Sequence, residues 1–188
     1  MIEAIAVATG LLSVWFARKE NILVYPVGII SVLLYVYLCY YAGLYADMGI
    51  NAFYFLMSLY GWIVWAKTNK QTKEHIPISR FKPEYWILIV FLIVVFSWVI
   101  YLVLIKYTDS SVPFWDSVTT AIFIVAMYLM AVKKIENWIL WIIGDFFCIF
   151  LFFNKNLKLS AVQYLVFFAL AIAGYVEWHR RLKKENVA

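Results

Sequence analysis

Charge is scarce in this 188-residue chain: 14% of residues are Asp, Glu, Lys or Arg, against about a quarter in an average soluble domain. Histidine and cysteine are scarcer still, at two each. His75 and His179 fall in polar segments, and no Gly-x-Ser-x-Gly, His-Glu-x-x-His or phosphate-loop pattern occurs. An intramembrane hydrolase needs a nucleophile with a base, or two metal-holding carboxylates. One deep acid, Asp145, supplies neither. The expectation is no enzyme, no metal and no cofactor. Cys39 and Cys148 lie in different apolar runs and read as small buried hydrophobes, not as a disulfide. The N-terminus lacks a signal-peptide pattern, because Glu3 stands where a basic region belongs and no small-residue cleavage site precedes Arg18.

What is abundant is apolar surface. Hydrophobic residues make up 66% and aromatics 20% of the chain, with a mean hydropathy of +0.85. A chain this short cannot hide that surface in a core of its own, so lipid must cover it. Polar loops divide it into seven expected spans: Ile2–Ala17, Ile22–Tyr41, Met48–Ala66, Glu84–Ile105, Pro113–Val132, Trp138–Phe153 and Ser160–Trp178. At ~1.5 Å per residue most are long enough to cross about 30 Å of hydrocarbon. The fold class is therefore an all-α integral membrane protein.

The +5 net charge follows the spans and does not form a nucleic-acid patch. One face collects Arg18, Lys19, Lys67, Lys70, Lys73, Arg80, Lys82, Lys133, Lys134, Arg180, Arg181, Lys183 and Lys184; the other holds Lys106, Lys155 and Lys158. The positive-inside rule makes the first face cytoplasmic, with the N-terminus outside and the C-terminus inside.

An internal repeat accompanies this pattern. Glu20-Asn21 recurs as Glu136-Asn137 and Gly28 as Gly144 at an offset of 116, while Gly61-x-x-x-Trp65 recurs as Gly174-x-x-x-Trp178 at 113. The slip places a three-residue gap in an outer loop. The expected organisation is a three-helix repeat (1–66), a cytoplasmic linker with a linker helix (67–106), a second repeat (107–179) and a basic tail (180–188). Parallel repeats of this kind hold substrate between the halves near mid-membrane.

Asp145 is the residue that most needs a reason, since a carboxylate at mid-span costs roughly 2.5–3.5 kcal/mol on insertion scales. It serves either as a structural hydrogen-bond partner or as counter-ion to a cationic substrate. Trp138, Trp141 and Asp145 share a helix face at i, i+3 and i+7, suited to a flat cation through stacking and cation–π attraction. Trp138 could equally anchor at the headgroups. Asn51, Tyr54, Ser58, Trp62 and Trp65 form a stripe on the third span. The Asn51 amide would be satisfied by sugar hydroxyls, a ring carboxamide or a neighbouring helix, and Tyr54 and Ser58 have a packing alternative. Gln163 and Tyr164 lie in the outer turns of the last span, where Gln163 could be solvated. Trp115 and Asp116 open the fifth span behind Pro113, as interfacial anchor and helix-start acid. Pro26 and Gly28 predict a kink or a close approach in the second span.

These residues resemble a known pattern. Glu136-Asn137-Trp138 through Trp141, Gly144 and Asp145 resembles the E-N-W-x-x-W-x-x-x-(N/D) signature of the PnuC family of vitamin transporters. Pro113-Phe114-Trp115-Asp116-Ser117 is similar to its P-F-W-D-S, and Leu44-Tyr45-Ala46-Asp47 with Tyr60-Gly61-Trp62 and Trp65 to its third core helix. The resemblance covers roughly Asn21 to Trp178. It implies a SWEET-like three-plus-one-plus-three bundle, homotrimers in a bacterial cytoplasmic membrane, and facilitated diffusion of nicotinamide riboside trapped by a cytoplasmic vitamin kinase. By position it carries Trp138, Trp141 and Asp145 to the sixth-helix motif, and Asn51 to a site where relatives often have Gln. That departure shortens the amide's reach and leaves thiamine, the cargo of some relatives, as an alternative. A membrane scaffold, whose acid and amides only lock helices together, is the alternative from another class.

Overall fold

The computed structural model describes residues 2–43, 45–67, 77–108, 110–154 and 158–185, with only the backbone described for 45–47 and 185. Lys70, Lys73, His75 and Lys155 lie outside the described residues, as does Leu44 of the third-helix motif. Seven helices follow one another: α1 Ile2–Arg18, α2 Val24–Tyr41, α3 Tyr45–Ala66, α4 Tyr85–Tyr107, α5 Pro113–Ala131, α6 Glu136–Asn154 and α7 Lys158–Glu185. Six, α2 to α7, are long and apolar enough to cross a membrane. α1 has 17 residues, at the lower limit for a crossing.

Two ends differ from the sequence expectation. α7 continues past Trp178 to Glu185, so Arg180, Arg181, Lys183 and Lys184 belong to a helix and not to a tail. Basic side chains favour a helix C-terminus, and Glu177 pairs with Arg181 at i, i+4, 3.3 Å apart. In α2, Pro26 falls in the first turn, where its missing N–H is not needed, and the helix runs unbroken from Val24 to Tyr41. Gly28 instead provides close approach: a Cβ there would stand 2.8 Å from the Ser13 Oγ. Two hydroxyls stitch α1 to α2 at this narrow seam. Ser13 donates to the Val24 carbonyl at 2.8 Å and Ser31 to the Ala6 carbonyl at 2.7 Å.

Packing closes six helices into a ring in the order α1, α2, α3, α5, α6, α7 and back to α1, while α4 packs on α5 from outside. α4 meets α5 through Ile89, Ile122, Val125, Ala126 and Leu129, and turns Ile87, Phe91, Val94 and Trp98 outward. Such exposed apolar surface suits lipid.

The helices recur at one offset. Adding 113 carries the end of α1, Arg18, to the end of α5, Ala131; the end of α2, Tyr41, to the end of α6, Asn154; and the start of α3, Tyr45, to the start of α7, Lys158. The 116-residue match therefore pairs non-equivalent sites. Glu20 corresponds to Lys133, and the two share a left-handed backbone, φ 56° and 53°; Glu136 instead begins α6. No gap in an outer loop is needed.

The segment after the undescribed stretch is also more than a linker. Ser79 bridges the α5–α6 turn, donating its N–H to the Lys133 carbonyl and accepting from Ile135 N–H, both at 3.0 Å. Ile78 is buried in the aromatic core at that end, and Phe81 N–H donates to Glu136 Oε1 at 3.2 Å.

Candidate functional site

Asp145 is the central residue of α6, about 13 Å from either end at ~1.5 Å per residue. It is 3% exposed, so α6 turns it into the ring and not toward lipid. Gly144 beside it lets α5 approach, because the Phe123 ring occupies the space a Cβ would need.

Aromatic rings cluster near this acid. Phe123 stacks on Trp141, centroids 5.1 Å apart, and lies nearly parallel to Tyr164 at 6.4 Å. Tyr164 in turn stacks on Phe152 at 5.0 Å. Tyr54 and Tyr164 lie within electrostatic reach of both Asp145 and Cys148. The Cys148 thiol, one turn further along α6 than Asp145, lies near the Thr119 and Tyr164 hydroxyls. Tyr35 on α2 lies beside Gln163 on α7. Trp141 Nε1 is buried with no hydrogen-bond partner, which leaves a donor for a polar ligand. One carboxylate among stacked rings and hydroxyls can hold a flat cationic ring by charge and cation–π attraction, and hydroxyls of an attached sugar by hydrogen bonds.

Of the residues expected from sequence, the fold brings Asp145, Trp141, Tyr54 and Tyr164 together. Gln163 follows through Tyr35, one residue from Tyr164. Asn51 is half-buried three residues before Tyr54 and is partnered within the fold. Trp115 stacks on Phe147 at 5.6 Å, two turns before Phe123 on α5, and is 43% exposed. Trp62 stands 39% exposed at the edge of the α3 face whose buried members are Ser58, Gly61 and Trp65. Trp138 sits apart from the acid. It is fully buried two turns away, edge-on to Trp178 and seated on Gly174. α7 approaches it at glycine and covers the indole.

Thr119, Phe123, Tyr35 and Cys148 are the lining residues that the sequence reading missed. Trp115, Thr119 and Phe123 are spaced four and four, so they mark one face of α5. That spacing was the available signal. Asp116, expected to serve the helix start, accepts a hydrogen bond from Ser110 Oγ at 2.6 Å.

Comparison with known proteins adds an independent line. Residues 1–180 match a family model described as nicotinamide mononucleotide transporter. The nicotinamide riboside transporter PnuC of Escherichia coli (strain K12) is 27% identical, with 94% of this chain and 84% of that protein covered. Its namesake in Neisseria mucosa is 29% identical, covering 98% and 74%. A more distant relative, the riboflavin/roseoflavin transporter RibM of Streptomyces davaonensis, is 24% identical over 94% and 84%. The crystal structure of the vitamin B3 transporter PnuC superposes with a TM-score of 0.78 at 30% identity, covering 97% of this chain and 82% of that one.

Proposed function

Because the chain belongs to the nicotinamide mononucleotide transporter family, whose matched members are named as transporters and not enzymes, we propose that it carries nicotinamide riboside across a bacterial cytoplasmic membrane. The observation that carries this reading is the buried Asp145 at mid-helix, framed by Trp141, Phe123, Tyr54 and Tyr164. A pyridinium on a ribose is complementary to it: the ring is flat and positive, and the sugar is rich in hydroxyls.

Transport is facilitated diffusion, and a cytoplasmic vitamin kinase traps the cargo by phosphorylation. Seven crossings, with the N-terminus outside and the C-terminus inside, are supported by the bias of basic residues toward one face. The three-plus-one-plus-three organisation, with halves at 1–66 and 107–179, is supported by the common 113-residue offset and by the ring that leaves α4 outside. The homotrimer rests on the family resemblance alone.

Proteoliposomes offered labelled nicotinamide riboside, thiamine and riboflavin side by side test the cargo. Nicotinamide riboside is expected to equilibrate in empty vesicles and to accumulate only when a kinase and ATP are enclosed. Accumulation without them would show ion coupling instead. Uptake of none of the three by folded protein would return the acid to a scaffold role, and preference for thiamine would reassign the cargo.

A further inference from the structure

The basic end of the ring contains one device used twice. α1 and α5 each finish in the same turn. Glu20 N–H donates to the Ala17 carbonyl and Asn21 N–H to Phe16, at 3.0 and 2.9 Å; Lys133 N–H donates to Met130 and Lys134 N–H to Leu129, at 3.0 and 2.8 Å. This doubly bonded helix end usually places glycine at its left-handed residue. Here that residue is Glu20 in one half and Lys133 in the other, the two non-glycine residues with positive φ among those described. A side chain there strains the backbone by roughly 1–2 kcal/mol, and such strain tends to persist where function needs the residue. The two charges meet: Lys133 Nζ is 2.7 Å from Glu20 Oε1.

The same reciprocity holds for tryptophan. Trp65 on α3 donates Nε1–H to the Met130 carbonyl at 3.2 Å, and Trp178 on α7 donates to the Ala17 carbonyl at 3.0 Å. Each indole thus caps the first helix of the opposite half. The two rings lie 6.1 Å apart, Lys133 Nζ stands 4.7 Å over Trp65, and Arg181 adds a second contact to Glu20 at 3.3 Å. Beneath them, Tyr25 fills the space over Gly61 as Trp138 does over Gly174. This layer is two helix turns from Asp145 on α6. Its bonds join the halves along both seams of the ring, α3 with α5 and α1 with α7. A counterweight is present, since the Tyr25 hydroxyl and Trp138 Nε1 are buried without partners, an arrangement that disfavours a polar group's burial.

We propose that this layer is the basic-side gate of the transport path, shut in this structure, and that it opens by parting the Glu20–Lys133 pair together with both tryptophan–carbonyl bonds. The proposal rests on the transporter reading, and two experiments separate their failures. In a Cys39→Ser protein, Cys148 reports access to the site. Trp65→Phe with Trp178→Phe keeps both rings but removes both donors. Its Cys148 is expected to react at least about fivefold faster with a membrane-impermeant maleimide from the basic side, the effect of losing about 1 kcal/mol of hydrogen bonding, with an unchanged gel-filtration profile. An unchanged labelling rate overturns the gate, whatever the cargo.

The second experiment joins Glu20→Cys to Lys133→Cys with a reducible bifunctional thiol reagent, in a Cys39→Ser background that keeps Cys148, with the Cys39→Ser protein treated alike as the control. Nicotinamide riboside uptake is expected to fall at least about tenfold on cross-linking, the 1.4 kcal/mol equivalent, and to recover on reduction. Cross-linked protein that transports at the uncross-linked rate overturns the proposal, because the halves then never part there. Failure of the Cys39→Ser parent to transport any vitamin counts against the transporter reading alone, and the labelling result still decides the gate.

Discussion

At the basic end, α3 meets α5 and α1 meets α7 through tryptophan–carbonyl hydrogen bonds and an ion pair; at mid-depth, stacked rings of α5, α6 and α7 gather near one buried acid. Both layers are rich in aromatics, yet their polar groups are arranged differently. The basic end joins Trp65, Trp178, Glu20 and Lys133 to partners across the seams. The middle keeps a single buried acid and an unpartnered indole donor at Trp141. The first layer is suited to closing, because its bonds are satisfied only when the halves touch. The second keeps a buried indole donor, Trp141 Nε1, without a hydrogen-bond partner.

Substitutions can sharpen or break this contrast. The largest effect is expected at Asp145. Asp145→Ala should lower nicotinamide riboside uptake by roughly ten- to a hundredfold, since a hydrogen bond to a charged group is worth about 1.5–3 kcal/mol. The thermal midpoint of the detergent-solubilised protein should not fall. A large drop in midpoint with intact uptake would reverse the roles of the two layers.

Next come the glycines under the gate. Gly174→Ala places a Cβ 2.6 Å from the Trp138 ring and should destabilise by about 1–3 kcal/mol, as overpacking does. Gly61→Ala should behave alike, since it stands under Tyr25 in the same way. Gly49→Ala meets nothing within 4 Å and should be neutral or stabilising by up to about 1 kcal/mol. Thermal midpoints of the three variants check this, and equal losses at all three would mean that packing at the basic end is not special.

The Glu20–Lys133 pair should show a coupling of about 1 kcal/mol in a double-mutant cycle, below the value for fully buried pairs because the Glu20 side chain is 17% exposed. The coupling should shrink in high salt. A coupling indistinguishable from zero would leave the tryptophans alone holding that end. Ser31→Ala and Ser13→Ala, within one half, are expected to cost only about 0.6 kcal/mol each and to leave Cys148 labelling unchanged.

Much of the molecule was legible along the chain, and the failures have identifiable causes. Helix positions followed from apolar runs because lipid forbids unsatisfied backbone. α7 overran its apolar run because Glu177 and the terminal basic residues stabilise further helical turns outside any membrane. Asp145 and Trp141 stood out, being a rare charge and an aromatic on one face. Thr119, Phe123 and Tyr35 did not, since residue type alone does not distinguish a ring-facing Phe or Tyr from a lipid-facing one. Trp138 shares the helix face of Asp145 but lies at a different depth, where Gly174 lets α7 cover it. The matching of identical residues at 116 differs from the 113-residue spacing of the helix ends. Equivalence there is carried by backbone shape and by opposite charges at Glu20 and Lys133, which no search for identical residues detects.

The sequence by itself determined the membrane class, the order and rough extent of the helices, the charge bias and the presence of one deep acid, because each follows from transfer free energies along a single chain. Only the tertiary structure decided which aromatics face Asp145, which tryptophans cap the opposite half, and that Glu20 answers Lys133. Those outcomes depend on how each helix is rotated and how close its neighbours come, and in a bilayer that is settled by small-residue packing and pairwise hydrogen bonds between helices, not by hydropathy.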